Sequence, residues 1–154
     1  MATPANLNLA VQVVTNGPNL EANITVDYDI VWSKFDQESD QPYTELVKLV
    51  GDDSGITPAE DGADDAIPGG QLFPVLILPP TPFPPIPLPV ITTISSGGSA
   101  STHRSFSKTL PLSALDEDKS PVPNPDEIRA QVTLTPVLPA TVVRESNQVT
   151  LNIS

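Results

Sequence analysis

The chain has no cysteine in its 154 residues. This excludes a disulfide framework and a thiolate metal site, and it leaves the redox compartment open. Basic residues are also scarce, because 7 Lys and Arg stand against 19 Asp and Glu and give a formal net charge of −12. Nucleic acids and anionic membrane surfaces are bound through basic patches, so neither is an expected partner.

Groups suited to catalysis are equally few. His103 is the only histidine and lies in the Ser/Thr-rich stretch SASTHRSFS. The sequence has neither the G-x-S-x-G motif of a serine hydrolase nor a phosphate-binding glycine loop. One Trp and two Tyr are few for a sugar-binding platform. We therefore expect a protein that is not an enzyme, with no catalytic residues and no bound cofactor, and with His103 in a hydrated loop or at a strand edge.

The first residues, MATPANLNLAVQV, lack the basic region and the apolar segment of a cleaved signal peptide. We therefore expect a protein that is cytoplasmic, is part of a particle, or is exported by a route that needs no such signal. A chain whose leader had been removed would look the same.

The most unusual stretch is GGQLFPVLILPPTPFPPIPLPVITTISSGG, residues 69–98, here called the arm. It has eight prolines between Gln71 and Val90, and no Asp, Glu, Lys or Arg occurs between Ala66 and His103. Each interior proline removes a backbone donor and clashes with a helical turn, which excludes a transmembrane helix and a central strand. We expect an extended polyproline II segment with a freely turning glycine pair at each end.

The apolar side chains of the arm are expected to become buried, because each would contribute about 1.5–3 kcal/mol if fully removed from water. We expect them to pack against a protein partner, most often a second copy of the chain or a larger assembly. The alternatives are packing on the chain's own domain and contact of the arm with a lipid surface. The predicted partner-binding residues are Leu72, Phe73, Leu76, Ile77, Leu78, Phe83, Ile86, Leu88 and Val90.

The residues that precede the arm, 51–68, are acidic. Carboxylate clusters can hold calcium, but D-G-A-D-D does not match the EF-hand loop. We expect a solvated loop that needs no metal, with calcium binding as the alternative. The weak calcium candidates are Asp52, Asp53, Asp61, Asp64 and Asp65.

Apolar and polar residues alternate in six stretches, which is the period of half-buried strands in an antiparallel sheet. The stretches are residues 6–14, 21–32, 43–50, 104–112, 127–135 and 148–154. They predict a single all-β domain over residues 1–154, an Ig-like or fibronectin-III-like antiparallel sandwich with residues 51–98 inserted as a long loop. Residues 34–42 are expected to form a polar loop. The predicted core residues are Val11, Val13, Ile24, Val26, Tyr28, Trp32, Ile128, Val132, Leu134, Val149, Leu151 and Ile153.

The C-terminal stretch EIRAQVTLTPVLPATVVRESNQVTLNIS resembles the end of the bacterial CARDB domain, in which an E-S-N motif precedes the final strand. Glu145, Ser146 and Asn147 stand where that motif would fall. The resemblance extends over residues 6–50 and 97–154. It implies a fibronectin-III-like sandwich and an association with adhesion and surface proteins.

Two functions follow from these patterns. We expect a non-enzymatic structural or assembly subunit, whose sandwich is joined to neighbouring subunits or a partner through the arm. The alternative is a monomeric adhesion or ligand-binding module of a bacterial surface or secreted system.

Overall fold

A computed structural model describes residues 1–51, 65–74, 92–116, 125–137 and 142–153. The described residues form eight β-strands, one short α-helix and one turn of 3-10 helix at Leu112–Leu115. The elements are β1 Thr3–Asn16, β2 Asn19–Val31, α1 Lys34–Ser39, β3 Tyr43–Gly51, β4 Asp65–Phe73, β5 Thr93–Ile94, β6 Ser101–Pro111, β7 Pro125–Pro136 and β8 Val142–Asn152. Within these ranges, no helix combines the length and the apolar character that a membrane crossing requires.

The strands form two antiparallel sheets, as the alternation predicts. One sheet has the order β1-β2-β6, and the other has the order β4-β3-β7-β8 with β5 also paired to β3. Strands β1, β2 and β6 match strands A, B and E of an Ig-like domain, while β3, β7 and β8 match C, F and G. The all-β sandwich fold is therefore confirmed.

The core lies between the inner faces of the two sheets. Of the predicted core residues, Ile24, Val26, Tyr28, Trp32, Ile128, Val132 and Leu134 are buried, and Val11, Val149, Leu151 and Ile153 pack against them at the margin. The prediction for Val13 is wrong, because its side chain is 45% exposed. The alternation along β1 points the Val13 side chain inward, but Val13 lies near the end of the β1–β2 hairpin, in an outer strand of its sheet.

A β-bulge changes which residues of β1 point inward. Two residues, Asn6 and Leu7, oppose the single residue Tyr28 where the register with β2 shifts. Asn6 has a φ of 52°, a left-handed conformation that Asn tolerates better than most residues. Before the bulge Ala2 and Pro4 point inward, and after it Leu7, Leu9 and Val11 do.

Residues 34–42 contain the helix α1 rather than only a polar loop. Ser33 accepts a hydrogen bond from the backbone N–H of Asp36, and the Asp36 carboxylate accepts one from the backbone N–H of Ser33. This reciprocal capping box satisfies two free donors at the start of the helix. The helix then ends at Asp40, whose φ is 52°.

The predicted insertion at residues 51–98 contains two strands, β4 and β5. Both pair with β3 on the side away from β7, so they form one edge of the second sheet. Pro68 is tolerated in β4 because an edge strand has one side without ladder partners. The chain therefore leaves this edge after Phe73 and returns to the same edge at Thr93.

Strand β8 begins earlier than predicted and includes Glu145, Ser146 and Asn147. Ser146 and Asn147 together oppose the single residue Ala130 of β7, which makes a second bulge. The Ser146 hydroxyl accepts a 2.6 Å hydrogen bond from the Ala130 N–H and so replaces a backbone partner. The Asn147 side chain accepts from the N–H of Leu9 at 2.7 Å and donates to its C=O at 3.2 Å, which joins β8 to β1 across the sandwich.

Candidate functional site

Two of the predicted partner-binding residues lie in β4. Leu72 is 4% exposed and belongs to the core, and the ring of Phe73 stacks on Phe106 with centroids 4.8 Å apart. These two side chains therefore contact the chain's own domain. The remaining predicted residues, Leu76, Ile77, Leu78, Phe83, Ile86, Leu88 and Val90, lie outside the described residues.

The calcium candidates Asp52, Asp53, Asp61 and Asp64 also lie outside the described residues. Asp65 begins β4 and pairs with Gly51. Among the residues that are described, no group of three or more His, Cys, Asp or Glu could hold a metal ion.

The first candidate site surrounds the point where the arm leaves the sheet, and we call it the exit anchor: Glu45, Phe73, Arg104 and Phe106. Arg104 donates two hydrogen bonds to the Glu45 carboxylate, from Nε at 3.2 Å and from Nη2 at 2.8 Å. Its guanidinium carbon also lies 5.0 Å from the centroid of Phe106 and 6.0 Å from that of Phe73. Arg104 thus binds Glu45 of one sheet while it contacts the ring of Phe73, the last residue of β4.

Glu45 is the electrostatic centre of the exit anchor. Its side chain is 1% exposed. Burial raises the pKa of Glu45, and the hydrogen bonds and charge of Arg104 offset part of that rise. The Tyr28 hydroxyl donates a further hydrogen bond to the same carboxylate. A buried acid with a raised pKa can serve as a catalytic proton donor, but here the two oxygens are bound by Tyr28 and Arg104 and closed to solvent. The arrangement is therefore structural.

A lysine ties the edge of β4 to the other sheet. Lys108 of β6 donates to the backbone oxygens of Gly69 at 2.6 Å and Gln71 at 3.2 Å. These oxygens are two residues apart and so lie on the same side of the strand. In an edge strand such oxygens normally face water. Here they accept hydrogen bonds from Lys108, and these bonds hold β4 against β6.

The second candidate site lies where the arm returns, and we call it the return anchor: Asp36, Asp40, Ser96 and Gly97. The Ser96 hydroxyl, in a residue only 4% exposed, donates to the backbone oxygen of Asp36 at 2.9 Å. The Gly97 N–H donates to the Asp40 carboxylate at 2.9 Å. The chain beyond β5 is therefore bound to α1 at Asp36 and at Asp40, the residue that caps its C-terminus.

Asp36 is fully buried and keeps its charge. Burial alone would raise the pKa of Asp36, but hydrogen bonds from Ser33 and Tyr43 outweigh it and lower the pKa. The Tyr43 hydroxyl donates to the carboxylate at 2.8 Å. Because the pKa is lower in the folded state, the ionised carboxylate stabilises the fold above the usual Asp pKa, and this contribution is lost as the pH falls.

The glycine pairs are held in place, which contradicts their prediction as freely turning joints. Gly69 and Gly70 lie in β4, and a Cβ on Gly70 would meet the Ile67 oxygen at 2.9 Å and the Leu49 oxygen at 3.1 Å. Gly97 and Gly98 have φ values of 57° and 81° and form a turn bonded to Asp40 and Ser96. Glycine is needed for close approach at Gly70 and for left-handed backbone at Gly69, Gly97 and Gly98.

His103 lies on the solvent face of β6, close to its predicted setting. Its Nδ1 is 2.8 Å from Asp29 Oδ1, and its Nε2 is 3.9 Å from Asp27 Oδ1. A hydrogen bond from Asn6 lowers the pKa of Asp29, and the bond to His103 lowers it further. In the described part of the chain the ring nitrogens contact carboxylates and no hydroxyl, so the geometry offers no activated nucleophile.

An open depression of about 670 Å³ lies at the end of the sandwich that holds the β1–β2 turn. Its lining is half polar, and includes Pro18, Leu20, Glu21, Leu112, Asp116 and Ile153. Leu20 is 50% exposed there. The depression has the volume of a small-molecule site.

The anchors were not predicted from the sequence, because their members lie far apart in the chain. Glu45 and Arg104 are 59 residues apart, and Asp36 and Ser96 are 60 apart. A local signal existed only for α1, since S-x-x-D before a short polar stretch is a capping pattern. Comparison of the chain with protein-family models, curated proteins and solved structures finds no match.

Proposed function

We propose that the protein is a non-enzymatic structural or assembly subunit, in which the sandwich presents the segment 75–91 to a neighbouring subunit or another protein. One observation carries the proposal. Both ends of this apolar, proline-rich segment are fixed to the same sheet edge, one by the exit anchor and the other by the return anchor.

The two anchors lower the conformational entropy that is lost when such a segment becomes ordered on a partner. Proline already restricts the unfolded chain, so that ordering the segment on a partner costs less conformational entropy than ordering a flexible loop. Fixing both ends reduces the remaining freedom. Leu72 and Phe73 are used to hold β4, so the partner contacts are assigned to Leu76, Ile77, Leu78, Phe83, Ile86, Leu88 and Val90.

The sandwich has its own core without this segment. The described residues alone contribute Ile24, Val26 and Tyr28 from one sheet and Ile128, Val132 and Leu134 from the other. The entropy of closing a loop changes only slowly with its length. The segment 75–91 is therefore assigned to contacts outside the domain.

The test is to replace residues 75–91 by a short Gly/Ser linker while Leu72, Phe73, Pro74 and residues 92–98 are kept. The variant should melt within a few degrees of the parent and should lose the association that this segment mediates, seen as a lower mass than the parent's when light scattering is measured at low and high concentration. A matched control keeps all prolines of the segment and changes only its apolar residues to Ser; it should also lose association. If the parent is a monomer and the linker variant melts far lower, the segment covers the chain's own core and the proposal fails.

The depression near Leu20 favours a second candidate, a monomeric ligand-binding or adhesion module. Its walls combine exposed apolar surface with the carboxylates of Glu21 and Asp116. This candidate predicts a monomer at every concentration. Leu20→Asp would then abolish ligand binding and leave the melting temperature unchanged.

A further inference from the structure

A sandwich of two open sheets has four edge strands, and three of them here carry features that hinder pairing with another chain. Strand β1 has the bulge at Asn6, and its Leu9 backbone is bonded by Asn147 of β8. Strand β8 has the bulge opposite Ala130. Strand β4 contains Pro68, has an irregular register and is bonded by Lys108. Bulges, prolines and covered backbone are common means of protecting an edge.

The fourth edge, β6, has none of these features. All eleven residues from Ser101 to Pro111 pair with β2 without a register shift, and no proline precedes Pro111. Among the described residues, no backbone hydrogen bond is made on the side of β6 that faces away from β2. The outward side chains Ser101, His103, Ser105, Ser107 and Thr109 are exposed and mostly small. Such a strand is a template for strand addition.

Two inward-pointing charges, Arg104 and Lys108, could protect this edge, but both are engaged inside the sandwich. Arg104 is bonded to Glu45, and Lys108 to the oxygens of β4. The strand also lies in a stretch free of acid: no Asp or Glu occurs between Thr92 and Leu115. The nearest carboxylates on the solvent face are those of Asp27 and Asp29 on β2, beside Ser105 and His103, and they lie 3.9 Å and 2.8 Å from the His103 ring nitrogens. In a chain with a net charge of −12, β6 is therefore an edge that adds no carboxylate of its own between two copies.

We propose that β6 pairs antiparallel with β6 of a second copy, with Ser105 opposite Ser105, and so joins the two three-stranded sheets into one. This register sets Arg104 against Phe106 of the second copy, a favourable cation–π pair, and Lys108 against Thr102. The neighbouring registers, centred on Arg104 or Phe106, set Arg104 against itself or against Lys108. Like charges directly opposite destabilise a strand pair, so the Ser105 register is favoured over these two.

The absence of cysteine makes the register testable, because any cross-link must come from an introduced thiol. Ser105→Cys should form a disulfide dimer under mild oxidation, since directly opposite residues have Cβ atoms about 4.5–5.5 Å apart. The matched control, Ser107→Cys, is on the same face of the same strand but faces His103 of the second copy. Its two thiols would be offset by about 13 Å along the strands and should not cross-link. Equal cross-linking of both variants, or none of either, overturns the proposal.

A second experiment measures the unmodified interface by sedimentation velocity. The parent should dimerise reversibly with rising concentration, and Ser105→Lys should remove the dimer because it sets two ammonium groups opposite each other. The control, Ala10→Lys, adds the same charge to the exposed face of β1 and should dimerise like the parent. A parent that stays monomeric, or two lysine variants that behave alike, overturns the proposal. The replacement of residues 75–91 tests the proposed function separately: it leaves β6 unchanged, so that variant should still form the β6 dimer and should lose only the association that residues 75–91 mediate.

Discussion

At the scale of single residues, the domain depends on polar side chains that act between elements. Glu45 is buried and paired with Arg104, Asp36 is buried and bonded by Ser33 and Tyr43, and Asn147 substitutes for a strand partner of Leu9. Unpaired buried charge is costly. The loss of one partner should therefore cost more than the bond itself contributes.

Arg104→Met should destabilise the domain by about 3 kcal/mol at neutral pH, because it leaves the Glu45 carboxylate buried and unpaired. Denaturation in urea measures the effect. Arg144→Met is the matched control, since Arg144 is exposed and, among the described residues, donates to the neighbouring backbone oxygen of Val143; it should change stability little.

The cost of Arg104→Met should depend on pH. Burial already raises the pKa of Glu45, and loss of Arg104 raises it further. A group whose pKa is higher in the folded state binds its proton more tightly there, so it favours folding at low pH and this contribution is lost as the pH rises. The difference between variant and parent should therefore shrink as the pH falls towards the usual glutamate value of about 4.3. A difference that grows on acidification would contradict the role given to Glu45.

Asn147→Ala should cost about 1–2 kcal/mol, because it removes two hydrogen bonds to the Leu9 backbone. Hydrogen exchange should show the Leu9 amide as the most affected site in β1. The control is Asn8→Ala, at an exposed position of β1 next to Leu9. It should change neither the stability of the domain nor the hydrogen exchange of the Leu9 amide. Equal effects of the two substitutions would show that the Asn147 bonds do not form.

At the scale of elements, β4 is the least regular strand and the one that directs the arm. It pairs with β3 through broken register, is bonded by Lys108, and ends at the Phe73 ring beneath Arg104. Its glycine at position 70 is required because the backbones of β4 and β3 come close there.

Gly70→Ala should destabilise the domain by about 1–3 kcal/mol, since the added Cβ must displace backbone oxygens rather than a flexible side chain. The melting temperature measures the effect. Gly17→Asn is the control: its Cβ would meet open space, and Asn tolerates the φ of 62° at that turn. A Gly70→Ala variant as stable as the parent would mean that β4 is free to move away from β3.

At the scale of the whole molecule, stability comes from the layer between the two sheets. Val132→Asp should unfold the domain, because an unpaired charge at a fully buried position costs several kcal/mol and the total stability of a domain is about 5–15 kcal/mol. Val13→Asp is the matched control, since Val13 is 45% exposed; it should stay within about 0.5 kcal/mol of the parent. Circular dichroism on heating distinguishes the two outcomes, and an unfolded Val13→Asp would contradict the observed position of β1.

The sequence by itself determined the strand content and most of the core. In β2 and β7 apolar and polar residues alternate, and this period is a local property that forces one face inward. The inward positions of Tyr28 and Val132 follow from it. The prolines of the arm likewise predict, from the sequence alone, a segment that is not helical.

Only the tertiary structure decided where β4 and β5 lie, how the arm is anchored, and that Val13 is exposed. The stretch around Pro68, Gly69 and Gly70 has no strand period, and it becomes a strand because β3 supplies its backbone partners and Lys108 binds its outer oxygens. The pairing of Glu45 with Arg104 depends on two registers, that of β6 on β2 and that of β3 on β7. Such contacts join residues far apart in the chain, and they stabilise the protein only after the sheets have packed. A local sequence pattern therefore does not predict them.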